Sequence, residues 1–174
     1  MKKILVTGCG GQVGTELVAH LRGLYGDANV MASDFRAQEG HSGPFALLDV
    51  RDGKAVAALL DSFKPDTVMH LAGILSARGE ERPQQLWETN MGGTYNMLEA
   101  ARERGCAVFF PSSIAAFGPG TPADRTPQDT IQRPTTIYGV SKVTGELLGE
   151  YYHLKYRLDV RGVRFPGLIS YEAL

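Results

Sequence analysis

The chain opens with a short apolar run, Ile4-Leu5-Val6, of the kind found in strands buried on both faces of a parallel sheet. Residues 12–24 then carry apolar side chains at Val13, Leu17, Val18, Leu21 and Leu24, a spacing that predicts an amphipathic helix. The alternation continues: residues 29–33 predict a second strand ending at Asp34, and Phe45-Ala46-Leu47-Leu48 a third ending at Asp49. A helix over 55–63 is closed by Pro65, and Thr67-Val68-Met69-His70-Leu71 forms a fourth strand. Pro83 opens a long helix to about residue 104, Gly105 ends it, and Ala107-Val108-Phe109-Phe110 makes a fifth strand stopped by Pro111. Prolines 111, 119, 122, 127 and 134 then mark an extended loop. A helix from 136 to about 156 and a sixth strand over 159–164, before Pro166, complete the series. Strands alternating with helices in this way predict an α/β fold, a Rossmann-type doubly wound parallel sheet covered on both faces.

A length of 174 residues suits one such domain. Eighteen basic against nineteen acidic residues, net charge −1, leave no basic block, so the footprint of a nucleic-acid surface is missing. Cys9 and Cys106 belong to no CxxC pair or Cys/His cluster, which disfavours a metal site and fits a reducing compartment. The basic start is cut short by Thr7 and Gly8, and no apolar run reaches bilayer length. A cytoplasmic enzyme or binding protein acting on a small molecule is the expectation. His20, His41 and His153 show no ligand spacing, and His70 reads as strand-end packing.

The candidate chemistry lies where strands meet loops. Gly8-Cys9-Gly10-Gly11-Gln12-Val13-Gly14 places glycines at 8, 11 and 14 between the first strand and the first helix. Gly8 can make a tight turn, Gly11 admits a pyrophosphate to the backbone, and Gly14 lets helix and strand approach, with the phosphates at the helix N-terminus. Asp34, twenty residues beyond Gly14, can accept hydrogen bonds from an adenosine ribose. Together these predict a dinucleotide site. Like charge at Asp34 favours NAD over NADP, although Arg36 could compensate a phosphate. Asp49-Val50 can lie near the adenine, with a helix N-cap as the competing role for Asp49, and Leu71-Ala72-Gly73 can lie under the cofactor. In Tyr138-Gly139-Val140-Ser141-Lys142 a phenol and an ammonium stand four apart on one helix face. A neighbouring cation favours the phenolate, which would let Tyr138 exchange a proton with an alcohol, and Ser113 sits at the tip of the fifth strand.

The glycine pattern, His70-Leu71-Ala72-Gly73, Asn90 with Gly93-Thr94, Ser112-Ser113, and Tyr138 with Lys142 resemble the extended short-chain dehydrogenase/reductases over nearly the whole chain. The resemblance implies Tyr138 as acid/base, Ser113 on the reacting oxygen, and Lys142 on the nicotinamide ribose while lowering the tyrosine pKa. It puts Asn90 at a structural position beside the cofactor and Phe165 near the nicotinamide. Gly73-Ile74-Leu75-Ser76-Ala77, the stretch from Pro111 to Gly118, Thr126-Pro127-Gln128-Asp129 and Arg164 to Tyr171 are similar more narrowly to short-chain-type L-threonine 3-dehydrogenases. By that likeness Ser76 touches substrate, and the reaction is oxidation of the L-threonine 3-hydroxyl to 2-amino-3-oxobutanoate.

Two other functions compete. A sugar-nucleotide 4-epimerase uses the same base and cofactor, but such enzymes usually carry a second alanine after His-x-Ala and a tyrosine before the glycine, where this chain has Gly73 and Phe117. Dehydratases of the group carry an Asp-Glu pair where Ile114-Ala115 stand here. A dinucleotide-binding protein without turnover would have no reason to keep Ser113, Tyr138 and Lys142. Trp87 and Tyr151 fit helix packing or a homodimer contact of the kind usual in the family. Family members continue past this length into a smaller domain over the substrate, so the chain reads as an N-terminal fragment with the substrate domain missing or truncated. On that basis the fragment alone is expected to be inactive and to expose apolar surface.

The Asp34 reading makes a direct prediction: NAD binds more tightly than NADP. Calorimetric titration with both cofactors checks it, and equal or reversed affinities would assign the subsite to Arg36 instead.

Overall fold

The computed structural model describes residues 2–38 and 42–169; His41 and the Ser170-Tyr171 end of the family likeness lie outside the described residues. Six strands form one sheet in the order β3-β2-β1-β4-β5-β6. They are β1 (Ile4–Thr7), β2 (Val30–Asp34), β3 (Phe45–Leu47), β4 (Thr67–His70), β5 (Ala107–Ser113) and β6 (Val160–Phe165). Every pairing is parallel. From β1 the chain winds outward to β3, then returns to β4 on the other side of β1 and winds to β6. The β1/β4 boundary is therefore the switch point, with a crevice at the C-terminal strand ends.

The period-2 geometry of the strands divides the core in two. Leu5, Val68 and Val108 face a cluster with Val56, Leu60, Met97, Leu98 and Tyr152 from α2 (Gly53–Phe63), α5 (Gly93–Arg104) and α6 (Ile137–Tyr156). Ile4, Val6, Val30 and Ala32 face Val18 of α1 (Gln12–Tyr25) on the opposite side. This is the doubly wound arrangement that the alternation predicts, although α1 is the one long helix on its face among the described residues. Between β2 and β3 the described residues form no helix. Arg22 instead reaches from α1 to donate to the Pro44 carbonyl at 2.8 Å.

Four local features differ from the pattern-based reading. A short helix, α3 (Ser76–Glu81), precedes α4 (Pro83–Leu86), and the long helix after Pro83 is interrupted by a π-helical turn, Trp87–Gly92, before α5. The fifth strand passes through Pro111 to Ser113. Its ladder with β4 ends at Met69↔Phe109, so the missing proline N–H costs no bond on that side. Asp52, not Asp49, caps α2, accepting from the Lys54 and Ala55 amides at 3.0 and 3.1 Å. Asp49 is drawn instead into an ion pair with Arg51 at 2.6 Å.

The first turn of the fold tolerates no side chains at two positions. Gly8 has φ +69°, and a Cβ there would lie 2.7 Å from the Ala72 amide nitrogen at the end of β4. A Cβ on Gly14 would sit 2.3 Å from the Gly8 carbonyl oxygen. Gly14→Ala should therefore destabilise by about 2–3 kcal/mol, because the clashing atoms are backbone. On the same helix Gly23, with open space at its Cβ position, should gain about 0.5–1 kcal/mol as Ala. Urea unfolding of the two variants tests the contrast, and equal shifts would contradict it.

Candidate active site

At the switch point the glycine loop delivers the start of α1. The first amides of any helix lack intrahelical partners, and α2 and α6 meet this need with the side chains of Asp52 and Thr136. α1 has Gly11 at its N-cap and no side-chain cap at all. A Cβ on Gly11 would come no closer than 3.3 Å to another atom, the Gly8 carbonyl oxygen. Uncapped amides, an entry glycine with no side chain to shield them and the positive end of a 14-residue helix fit the pyrophosphate of a dinucleotide. Gln12 and Val13 begin this helix, and the Gln12 side-chain carboxamide donates to the Leu168 carbonyl at 3.3 Å. The chain beyond β6 thus passes back over the loop.

Asp34 ends β2 and is 8% exposed, its carboxylate accepting from the Gly10 amide at 3.1 Å and the Arg36 amide at 3.2 Å. These contacts aim it across the glycine loop, where a ribose diol fits its remaining lone pairs. The Arg36 guanidinium lies 4.8 Å over the Phe35 ring. Asp49 is held below the ordinary carboxylate range by its hydrogen bond from Arg51. The side chain of Val50 is in the core against Gly93, and its carbonyl is taken by Asn96 at 3.0 Å, so the side chain expected near an adenine packs inward. Leu71, Ala72 and Gly73 follow β4, with Ala72 directly against Gly8.

The three candidate catalytic residues converge at the β5 end. Ser113 Oγ accepts from the Ala115 amide at 3.1 Å, capping the 3₁₀ turn Ile114–Ala116. Its own hydrogen is left for the Tyr138 phenol, which that hydrogen bond pulls downward in pKa. Burial acts more strongly and leaves Tyr138 above its usual value. The tyrosine pKa lowering expected from Lys142 is therefore not found. The Lys142 ammonium donates to the Pro111 carbonyl at 2.8 Å and sits 5.3 Å from the centre of the Tyr138 ring, while burial pushes the lysine down to about 8. Phe165 ends β6, edge-on to Phe109 at 6.5 Å. Ser76 is exposed at the first turn of α3.

Asn90 is spent on the protein itself. Its Oδ1 accepts from the Ile74 amide at 2.7 Å and its amide donates to the Ile74 carbonyl at 3.1 Å, so the side chain holds the main chain that borders the expected cofactor position. It lies in the π-helical turn, whose extra residue re-aims one side chain without ending the helix. Sequence reasoning also missed Glu146, one helical turn beyond Lys142. Glu146 accepts from Ser112, from Gln132 at 2.9 Å and from Arg164 at 2.7 Å, tying β5, the proline-rich loop, α6 and β6 together. Burial would raise its carboxyl, but these bonds win and hold it low. Its i+4 offset from Lys142 was the available signal. His70 is fully buried, its Nδ1 3.0 Å from Thr7 Oγ1 and its Nε2 without a partner, and burial depresses it to about 4. Among the described residues no group of His, Cys, Asp and Glu is arranged for a metal, and no helix is long and apolar enough to cross a membrane.

A parallel sheet whose uncapped, glycine-entered helix meets a Ser/Tyr/Lys trio at one strand edge defines the class of dinucleotide-binding Rossmann proteins. The chain belongs to the NAD-dependent epimerase/dehydratase family, matching it over residues 4–172, and its cofactor is NAD. It is 57% identical to an uncharacterized epimerase/dehydratase of Staphylococcus saprophyticus over 98% of this chain and 55% of that one. Among solved structures it is similar to the L-threonine dehydrogenase of Clostridium difficile (54% identity, TM-score 0.96, 98% of this chain and 55% of that one). It is similar also to the L-threonine 3-dehydrogenase of Trypanosoma brucei (41% identity, TM-score 0.96, 100% and 56%). The chain thus spans a little over half the length of these relatives.

The buried ammonium of Lys142 is costly to the fold. Below about pH 8 the folded chain carries that charge; between 8 and the ordinary 10.5 it has released a proton that the unfolded chain still holds, so stability rises with pH across this window. Lys142→Met should therefore melt at a higher temperature than the parent at pH 7, with the advantage shrinking as pH approaches 10.5. Equal melting temperatures at pH 7 would contradict this account.

Proposed function

We propose that this chain carries the NAD site and the proton-transfer residues of an enzyme that oxidises the 3-hydroxyl of L-threonine to 2-amino-3-oxobutanoate. The observation that carries the reading is the Ser113–Tyr138 pair at the β5 edge, the serine oxygen held by the Ala115 amide with its hydrogen left for the phenol. The likeness to L-threonine dehydrogenases over 98% of the chain supports it, as do Gly73 and Phe117 where a sugar-nucleotide 4-epimerase would usually differ.

NAD, when bound, supplies the acceptor for the hydride leaving C3. The chain's own residues bind, orient and move the proton. The α1 amides and Gly11 hold the pyrophosphate, Asp34 accepts from the adenosine ribose, and Asp49 with the backbone at Val50 borders the adenine. Leu71, Ala72 and Gly73 form the floor beneath the cofactor, and Phe165 borders the nicotinamide. Ser76 meets the polar groups of the substrate. Ser113 turns its hydrogen from the phenol to the substrate oxygen, Tyr138 as phenolate takes the hydroxyl proton, and the Lys142 amine reaches the nicotinamide ribose. The proton leaves Tyr138 for solvent after the ketone forms.

The exposed Trp87, Tyr95, Leu147, Tyr151 and Leu154, on the neighbouring α5 and α6 and the π turn, make the proposed contact of a homodimer in the cytoplasm.

In the whole protein Tyr138→Phe should lower kcat on L-threonine by about 10²–10⁴-fold while leaving the NAD dissociation constant within about twofold. Initial rates on L-threonine and on a nucleotide sugar, measured side by side with cofactor affinity, test both parts. More than a tenth of the parent rate in the Phe variant, or a faster parent rate on the sugar, would overturn the reading.

A further inference from the structure

α3 starts at Ser76, and Glu80 follows four positions later, so the two share a helix face. Three contacts fix this segment. Asn90 brackets the Ile74 amide and carbonyl just before the helix, and its amide also reaches Ser141 Oγ on α6 at 3.4 Å. Gly79 is pressed onto Leu86, where a Cβ would lie 2.0 Å from Cδ1, which fixes the rotation of α3 about its axis. Glu80 Oε1 accepts from the backbone amide of Tyr138 at 3.2 Å.

The last contact falls at a position with a defined need. Tyr138 is the second residue of α6, and its amide is among those left without an intrahelical acceptor. The Thr136 hydroxyl serves the Gly139 amide at 3.0 Å, and the Tyr138 amide is left for Glu80. A side chain from the Ser76 helix thus completes the cap of the helix that carries the phenol. The carboxylate also suits the positive end of a 20-residue helix.

We propose that Glu80 is a positioning residue: by anchoring α3 to the amide of Tyr138 it sets the distance between the substrate-facing Ser76 and the proton-accepting phenol. This rests on the roles given to Ser76 and Tyr138 above. The anchor needs an acceptor at the reach of a glutamate. A glutamine keeps both, whereas an aspartate keeps the charge and loses the reach by one methylene.

Two measurements on Glu80→Ala, Glu80→Asp and Glu80→Gln test it. In the present chain, hydrogen exchange at the Tyr138 amide should quicken by about tenfold in the Ala and Asp variants and stay near the parent in Gln, with the β-sheet amides unchanged. In the whole protein, kcat/KM for L-threonine should fall by about tenfold in Ala and Asp, mainly through KM, and by less than about threefold in Gln, with NAD affinity within twofold throughout. Unchanged exchange at Tyr138 in Glu80→Ala overturns the proposal whatever the activity, as does faster exchange with kcat/KM within twofold of the parent. Asp matching the parent while Gln fails overturns it too, since charge would then be the active property. A parent that does not oxidise L-threonine refutes the proposed substrate, and the exchange data then decide the anchor by themselves.

Discussion

The architecture of the site depends on one close approach, that of the helix start carrying Gly14 to the Gly8 carbonyl, with Gly8 itself against the backbone of Ala72. Atoms this close leave no room for a Cβ, so α1 enters low over the switch point with its amides pointing along the crevice. Any larger residue would lift the helix away from β1 and β4, and the anion-binding end would no longer lie between the strand tips that bear Asp34 and the segment after His70. The remaining site is built outward from that geometry.

The opposite half of the crevice is held by polar clamps. Asn90 binds the main chain at Ile74, and Glu146 collects Ser112, Gln132 and Arg164 at the ends of β5 and β6. The Arg164–Glu146 pair is mostly sheltered, with side-chain exposures of 18% and 21%, so loss of either partner would strand a charge in a poorly solvated place. Ser112 and Ser113 point to opposite faces of β5, as consecutive strand residues must. One is anchored by Glu146 on α6 and its neighbour is presented to the phenol, so the clamp and the chemistry share a strand end.

The same low-dielectric setting explains the titration behaviour. Burial disfavours the charged form of the two catalytic candidates at the β5 edge, raising Tyr138 and lowering Lys142, and it lowers His70 at the end of β4 as well. The Ser113 hydrogen bond opposes this at Tyr138.

Much of this was legible along the chain. Apolar runs, helical periodicity and the glycine spacing located the six strands, the long helices and the loop from Gly8 to Gly14, because strand burial, helix faces and φ > 0 turns are constraints that individual residues register locally. Asp34, Ser113, Tyr138 and Lys142 could be singled out because each follows a recognisable strand or helix boundary. Other features depended on partners far away in sequence. Whether Asp49 or Asp52 caps α2 turned on the Arg51 ion pair, and the inward path of Val50 on the space left by Gly93. The π turn carries Asn90 onto the main chain at Ile74, a contact between positions sixteen residues apart, and α3 is a helix too short to show a period of its own. The direction of the Tyr138 shift was set by burial under packed elements, against the pull of the Ser113 hydrogen bond. Sequence alone thus determined the six strands, the long helices and which chemical groups stand at their ends, since those follow from local patterns. The tertiary structure decided which of those groups meet, which are buried and which are spent on holding the fold, because hydrogen-bond partners and desolvation are properties of the packed chain.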